Sequence, residues 1–178
     1  GTAVAFIVGF KNNASYSRLW EARQIYGAII NDSRSFGYIL RDSLADKDSN
    51  KVKTMFLRHY AWLTALRFQL RESRVWENTG TSQFDEYARK YDIPERLSKL
   101  DDELKKYLSE PELQYILSKK NRATQLMARQ SKELSEAYEK GEINDFQWTQ
   151  INQQLVKFTD SQGKAERIKN FPYPRNFS

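Results

Sequence analysis

The chain lacks most of the residues from which enzyme and metal sites are built. It contains no cysteine, and His59 is the only histidine among its 178 residues. Without cysteine there is no disulfide framework, zinc–thiolate site or cysteine nucleophile, and a single histidine excludes a histidine metal cluster. The GxGxxG, GxxxxGK[ST], GxSxG and HExxH patterns are also missing. We therefore expect no catalytic residue, metal site or cofactor, and we expect that the protein is not an enzyme.

Turn-forming residues and long apolar runs are scarce as well. Seven glycines and four prolines are too few for a β-sandwich or barrel with many turns. No run reaches the roughly 18–20 apolar residues that span a bilayer. The formal charge of +6 is modest, and acidic residues are interleaved with basic ones throughout. We therefore expect no nucleic-acid partner.

The two remaining candidates for polar chemistry have ordinary structural explanations. His59 falls on the apolar stripe of its predicted helix, so we expect a core or interface histidine. Asp101, Asp102 and Glu103 are consecutive and point to different sides of a helix, which is typical of a solvated surface.

Apolar residues recur with helical spacing in nearly every segment, so the fold class predicted is all-α, a bundle of long helices in a single domain, 1–178. Ser109 and Glu112 predict a capping box with Pro111 in the first turn, and Gly141 predicts the end of that helix. The predicted elements are a helix from the N-terminus to about Leu44, a helix over roughly 51–76, a peripheral charged excursion over 77–110, a helix over about 110–139, and a helix from Asn144 to Pro172. The apolar stripe expected on the first helix is Leu19, Ala22, Tyr26, Ile29, Ser33, Phe36, Leu40 and Leu44.

The first ten residues differ from the rest of the chain. Thr2, Phe6 and Phe10 are spaced by four and form one line along a helix, and no charge occurs before Lys11. The segment resembles the end of an apolar helix cut from a longer protein, continuing without a break into a polar helix. An ordinary buried helix start is the alternative. If several copies surround an axis, the stacked phenyl rings form a narrow apolar throat, a type of constriction that controls permeation by dewetting.

Two stretches are similar to the bestrophin family, in its prokaryotic branch. GFKNNASYSRLWEARQIYGAIINDSRS, from Gly9 onward, resembles the signature where the second membrane helix of that family enters the cytosol. KFTDSQGKAERIKNFPYP, at 157–174, resembles the stretch just before the third membrane helix, and HYAWLTALRFQLR at 59–71 resembles an intervening helix. The matching positions are Gly9, Phe10, Asn12, Asn13, Tyr16, Arg18, Trp20, Glu21, Arg23, Asn31, Ser33, Arg34, Asp160, Gly163, Glu166, Arg167, Ile168, Asn170, Pro172 and Pro174.

The resemblance implies a pore-forming subunit of an ion channel in the bacterial inner membrane, assembled as a homopentamer in the lipid bilayer. Residues 1–10 would end a transmembrane helix, and 11–178 would be cytosolic. Thr2, Phe6 and Phe10 would form the pore neck. Thr149, with Ile151 as the alternative, would form a second constriction at the cytosolic exit. Animal members are calcium-gated anion channels, whereas a cation preference is an alternative in prokaryotic members, so chloride and sodium are both candidate permeant ions.

A second hypothesis is a soluble helical protein-interaction module without transport activity. Its exposed apolar stripe would then bind a partner protein. The residues upstream of Gly1 distinguish the two hypotheses, because at least ten further apolar residues would favour the membrane interpretation.

Overall fold

A computed structural model describes the backbone of residues 2–44, 49–74 and 94–171, and the side chains of 13–44, 49–74, 94–95 and 97–171. All regular secondary structure in these ranges is helical, so the all-α prediction is confirmed. The helices are α1 (Thr2–Leu44), α2 (Ser49–Arg71), α3 (Pro94–Leu97), α4 (Leu100–Leu104), α5 (Glu110–Leu117), α6 (Arg122–Glu139) and α7 (Asp145–Asn170).

Four long helices, α1, α2, α6 and α7, form an up-and-down bundle in which α1 packs mainly on α7, and α2 mainly on α6. Lys51 at the start of α2 forms an ion pair with Glu142, just after α6. Further along α2, the Trp62 indole donates a hydrogen bond of 2.9 Å to Gln162 near the end of α7. The bundle therefore has one end at Arg18 and the last turn of α7, and an opposite end at Leu44 and the α6–α7 turn.

An aromatic cluster fills the middle of the bundle. Phe36, His59, Trp62 and Phe158 are all buried, and the His59 ring centroid lies 4.7 Å from that of Phe158 and 5.2 Å from that of Phe36. The Nε2 atom of His59 lies 3.0 Å from the hydroxyl of Ser33. The prediction of a core histidine is confirmed.

The helix predicted over 110–139 is in fact two helices, α5 and α6. The Asn121 side chain accepts a 3.0 Å hydrogen bond from the Thr124 amide and so starts a new helix. Ser109 is the N-cap of α5, but its side chain makes no capping bond. The predicted capping box is wrong because the Glu112 carboxylate accepts hydrogen bonds from the buried Arg58 instead.

The turn between α6 and α7 agrees with prediction. Gly141 has a φ of +68°, in the left-handed region that favours glycine after a helix. Asn144 and Gln147 then form a complete capping box at the start of α7.

The prediction of a peripheral excursion over 77–110 can be compared with the structure only from residue 94 onward, since 77–93 lie outside the described residues. Leu104 and Leu108 are buried against the rest of the bundle, so this end of the segment is not peripheral. The reason is amphipathicity: Leu104 is buried, whereas Asp102 on the opposite side of the same short helix is exposed. Asp101 is exposed as well, as expected of a solvated carboxylate.

Candidate functional site

Helix α1 is the element on which the predicted site depends. Its 43 residues make a helix about 65 Å long, with its lower part packed in the bundle. The buried apolar residues of α1 are Ile25, Ile29, Phe36, Leu40 and Leu44. This confirms the lower part of the predicted stripe and shifts its upper part.

The upper part of the predicted stripe is exposed. Tyr16, Leu19, Trp20 and Tyr26 expose 66%, 58%, 52% and 67% of their surface, and Ala22 is exposed too. Ile25 occupies the bundle-facing position at this level, so the prediction for Leu19, Ala22 and Tyr26 is wrong for the single chain. We call Tyr16, Leu19, Trp20 and Tyr26 the aromatic patch. A cluster of large apolar side chains on one helix face is typical of a protein interaction surface.

Two interactions fasten α1 to the end of α7 beside this patch. The Arg18 guanidinium donates hydrogen bonds to the carbonyl oxygens of Ile168, at 2.6 Å, and Phe171, at 2.9 Å. Glu21 forms an ion pair with Arg167. A basic side chain on the last carbonyls of a helix satisfies acceptors that have no partner within that helix. Arg18, Glu21 and Arg167, which match the bestrophin motifs, therefore hold α1 against the end of α7.

Glu166 joins three helices at the same end of the bundle. One of its carboxylate oxygens accepts hydrogen bonds from Gln69 at 2.9 Å, from Asn121 at 3.2 Å and from Gln162 at 2.8 Å. Sequence reasoning listed Glu166 among the family-matching positions but missed its amide partners. The signal that could have found them is glutamine at helical spacing on otherwise apolar faces.

The structure separates the predicted site residues. The backbone of Thr2, Phe6 and Phe10 belongs to α1, but their side chains lie outside the described residues. Thr149 is exposed near the start of α7, whereas Ile151 is completely buried in the core. Of the two alternatives predicted for the exit constriction, only Thr149 is exposed to solvent in the single chain. An open groove of about 440 Å³ beside it is lined by Ser135, Tyr138, Glu139, Asp145, Trp148 and Thr149.

The part of the chain that the structure describes contains one strongly shifted histidine pKa and no cluster of metal-binding side chains. Burial lowers the pKa of His59 to about 4, so its imidazole is neutral at pH 7. Within the described ranges no three histidine, aspartate or glutamate side chains come together as metal ligands. No helix in those ranges is both long and apolar enough to cross a membrane.

Comparison with known proteins identifies the family. The family model described as bacterial/fungal bestrophin protein matches residues 1–178. The chain belongs to that family. A bestrophin-family relative from Escherichia coli, named voltage-dependent anion channel-forming protein YneE, is 25% identical over 174 residues, which are 98% of this chain and 48% of that protein. A protein of Ralstonia nicotianae with the same descriptive name, RSc3414, is 40% identical over 79 residues, 41% of this chain and 24% of that protein.

The fold is that of a solved bacterial bestrophin. A bestrophin homologue from Klebsiella pneumoniae superimposes with a TM-score of 0.80 at 23% sequence identity, over 99% of this chain and 56% of that one. The chain thus spans about half the length of the relatives that it matches along its whole length. The part of the relatives that this chain matches includes the helical bundle described above.

Proposed function

We propose that this chain is the lower pore and cytosolic part of a bestrophin-like ion-channel subunit in the bacterial inner membrane. Membership of the bestrophin family supports a channel, and relatives named as anion channel-forming proteins support anions such as chloride as the permeant ions. The net charge of +6 favours accumulation of anions near the protein.

The observation that carries this proposal is the form of α1. One unbroken helix connects the uncharged segment at 2–10 to the bundle core, and the aromatic patch lies between them. Large apolar side chains that the single chain leaves in water are explained if another copy covers them. We infer that neighbouring copies pack on the aromatic patch and form a homopentamer around one axis.

In such an assembly the neck comprises positions 2, 6 and 10. Phe6 and Phe10 supply two apolar levels, and the smaller, polar Thr2 gives a wider and wetter top. The levels are about 6 Å apart along the helix. Ions cross without covalent chemistry, and the constriction controls them through the cost of partial dehydration. Phenyl edges turned to the axis are electropositive and favour anions, whereas ring faces favour cations.

The exit is proposed at Thr149. Its exposed side chain lies near the start of α7, at the end of the bundle opposite the junction of Arg18 with Ile168. Ions that leave the neck therefore pass along the length of the bundle before they reach it. Five threonine side chains around the axis would be more polar than five isoleucine side chains, so we propose that this second constriction is only a weak barrier to ions.

Conductance measurements test the neck directly. The full-length protein is reconstituted in planar lipid bilayers as the wild type and as Phe6→Ala and Phe10→Ala variants. We expect larger conductance and altered selectivity in both variants, because a wider and less apolar neck is easier to wet. Tyr115→Ala, an exposed aromatic position on α5, is the matched control and leaves the current unchanged. Unchanged conductance, gating and selectivity in both neck variants would remove the neck assignment, and absence of any wild-type current would favour the soluble interaction module.

A further inference from the structure

A narrow strip along α1 carries no charged residue over six helical turns, and Glu21 lies just beyond its edge. With about 100° of rotation per residue, all positions between 13 and 35 that share an arc about 60° wide have neutral side chains. Five of these side chains are exposed, and that of Ser35 is half-buried. We call the set the polar stripe: Asn13, Ser17, Gln24, Ala28, Asn31 and Ser35.

The polar stripe is in register with the proposed neck. Ser17, Gln24 and Asn31 follow position 10 at intervals of seven residues, and each interval displaces the position by only about 20° around a straight helix. Because α1 is continuous from Thr2 to Leu44, the helix face that carries positions 6 and 10 becomes the polar stripe. The next position in the same arc is Asp42, near the end of α1.

The other two sides of α1 have different compositions. The bundle side is apolar and buried, and the side that carries the aromatic patch also carries Arg23 and Arg34, both exposed. Charged residues make up 29% of the chain, so an exposed face without any is not its usual solvated surface. The stripe is also too polar to be buried without partners. The polar stripe is typical of a surface that faces water at a place where a charged side chain would be unfavourable.

We propose that the polar stripe lines the aqueous ion path immediately below the hydrophobic neck, and that its neutrality is what keeps this path from selecting strongly by charge. The proposal rests on the channel function proposed above. Amide N–H groups and hydroxyls can face an anion, and amide carbonyl oxygens can face a cation, so the stripe can solvate ions of either sign. Conduction needs binding weak enough for the ion to leave, which neutral groups provide.

Charge substitutions in the full-length protein test the inference. In planar bilayers with a salt gradient, we expect Gln24→Glu to raise the cation-to-anion permeability ratio at least about threefold, and Gln24→Lys to lower it by a similar factor, since every subunit adds one charge around the axis. Asn31→Asp should act as Gln24→Glu does. Gln114→Glu and Gln114→Lys, at an exposed glutamine on α5, are the matched controls and leave the ratio unchanged.

Cysteine modification is a second test, in which the charge is added only after the protein has folded and assembled. This chain has no cysteine of its own, so single cysteines can be introduced in a background freed of any others. We expect a cationic methanethiosulfonate reagent to change the current of Ser17→Cys and Asn31→Cys channels. The same reagent leaves the current of Tyr115→Cys channels unchanged.

The outcomes separate this inference from the proposed function. If the wild type carries no current, the channel function itself is wrong. If the wild type conducts and Phe6→Ala alters conductance, but neither charge nor cysteine modification on the stripe has an effect, the stripe does not line the path and the inference is overturned. If the charged variants fail to assemble, the near-isosteric Ser17→Cys variant decides the question.

Discussion

Arg58 and Glu112 form a bidentate ion pair inside the bundle. Nε of Arg58 lies 2.6 Å from Oε1 of Glu112, and Nη2 lies 3.3 Å from Oε2. Gln130 accepts a third hydrogen bond from the same guanidinium, at 3.1 Å, and both charged side chains are buried. The pair joins the start of α5 to the middle of α2.

Removal of one member of this pair should be strongly destabilising. Glu112→Gln removes the bidentate carboxylate and leaves the buried guanidinium with only Glu133, 3.6 Å from Nη2, as a counter-charge. We expect it to lower the free energy of unfolding by about 3 kcal/mol, the lower end of the range for a broken buried ion pair. The control is Glu103→Gln, which breaks the more exposed Lys106–Glu103 pair and should cost less than about 1 kcal/mol. Chemical denaturation of the variants measures both values, and equal effects would contradict the buried pair.

The Arg18 junction predicts a local effect on α7. Arg18→Met removes the donor from the carbonyls of Ile168 and Phe171, at a cost of about 1.5–3 kcal/mol for hydrogen bonds to a charged group. Faster amide hydrogen exchange in the last turn of α7 is the expected signature. Arg23→Met, at an exposed position of α1, is the control. Unchanged exchange at 167–171 in Arg18→Met would show that the junction does not hold that end.

His59 predicts a loss of stability in acid. Its pKa is about 4 in the folded protein and 6.5 in a model compound, because burial disfavours the charged form. Below pH 6.5 the unfolded chain therefore takes up a proton that the folded chain does not, and stability falls until about pH 4. The full loss is about 3 kcal/mol.

The His59→Phe variant checks this pH dependence. It keeps an aromatic ring among Phe36, Trp62 and Phe158, and it should weaken the fall in stability between pH 6.5 and pH 4. Thermal unfolding across that range gives the slope for both proteins. Parallel curves for wild type and variant would mean that other groups cause the acid sensitivity.

Two glycines predict opposite effects of alanine. Gly141 has a φ of +68°, where a side chain is strained, so Gly141→Ala should destabilise by about 1–2 kcal/mol. Gly163 lies within α7 with no atom near an added methyl group, so Gly163→Ala should stabilise by about 0.5–1 kcal/mol. Denaturant midpoints of the two variants should therefore move in opposite directions from that of the wild type.

Sequence periodicity predicted the helices well, because the lower part of α1 and much of α2, α6 and α7 bury continuous apolar stripes. It missed the break before Asn121, since the lysines before it are good helix formers and the new start is recognisable only from the Asn121 cap. It also gave Glu112 a local capping role that the tertiary partner Arg58 takes instead.

The candidate site was less accessible to sequence reasoning. Periodicity alone cannot show whether an apolar face is covered within the same chain, so it placed Leu19 and Tyr26 on the apolar stripe of α1, although the bundle leaves both exposed. The resemblance left Thr149 and Ile151 as alternatives for the cytosolic exit; in the single chain Thr149 is exposed and Ile151 is buried. The proposed neck at Thr2, Phe6 and Phe10 depends on an assembly of several copies, so a single chain cannot test it.

The most direct test is a structure of the full-length protein in lipid nanodiscs by electron cryo-microscopy. We predict five copies, with five α1 helices around one axis, Phe6 and Phe10 facing that axis, and the aromatic patch covered by a neighbouring copy. A single protomer without a central passage, or phenyl groups that point outward into lipid, would contradict the channel architecture.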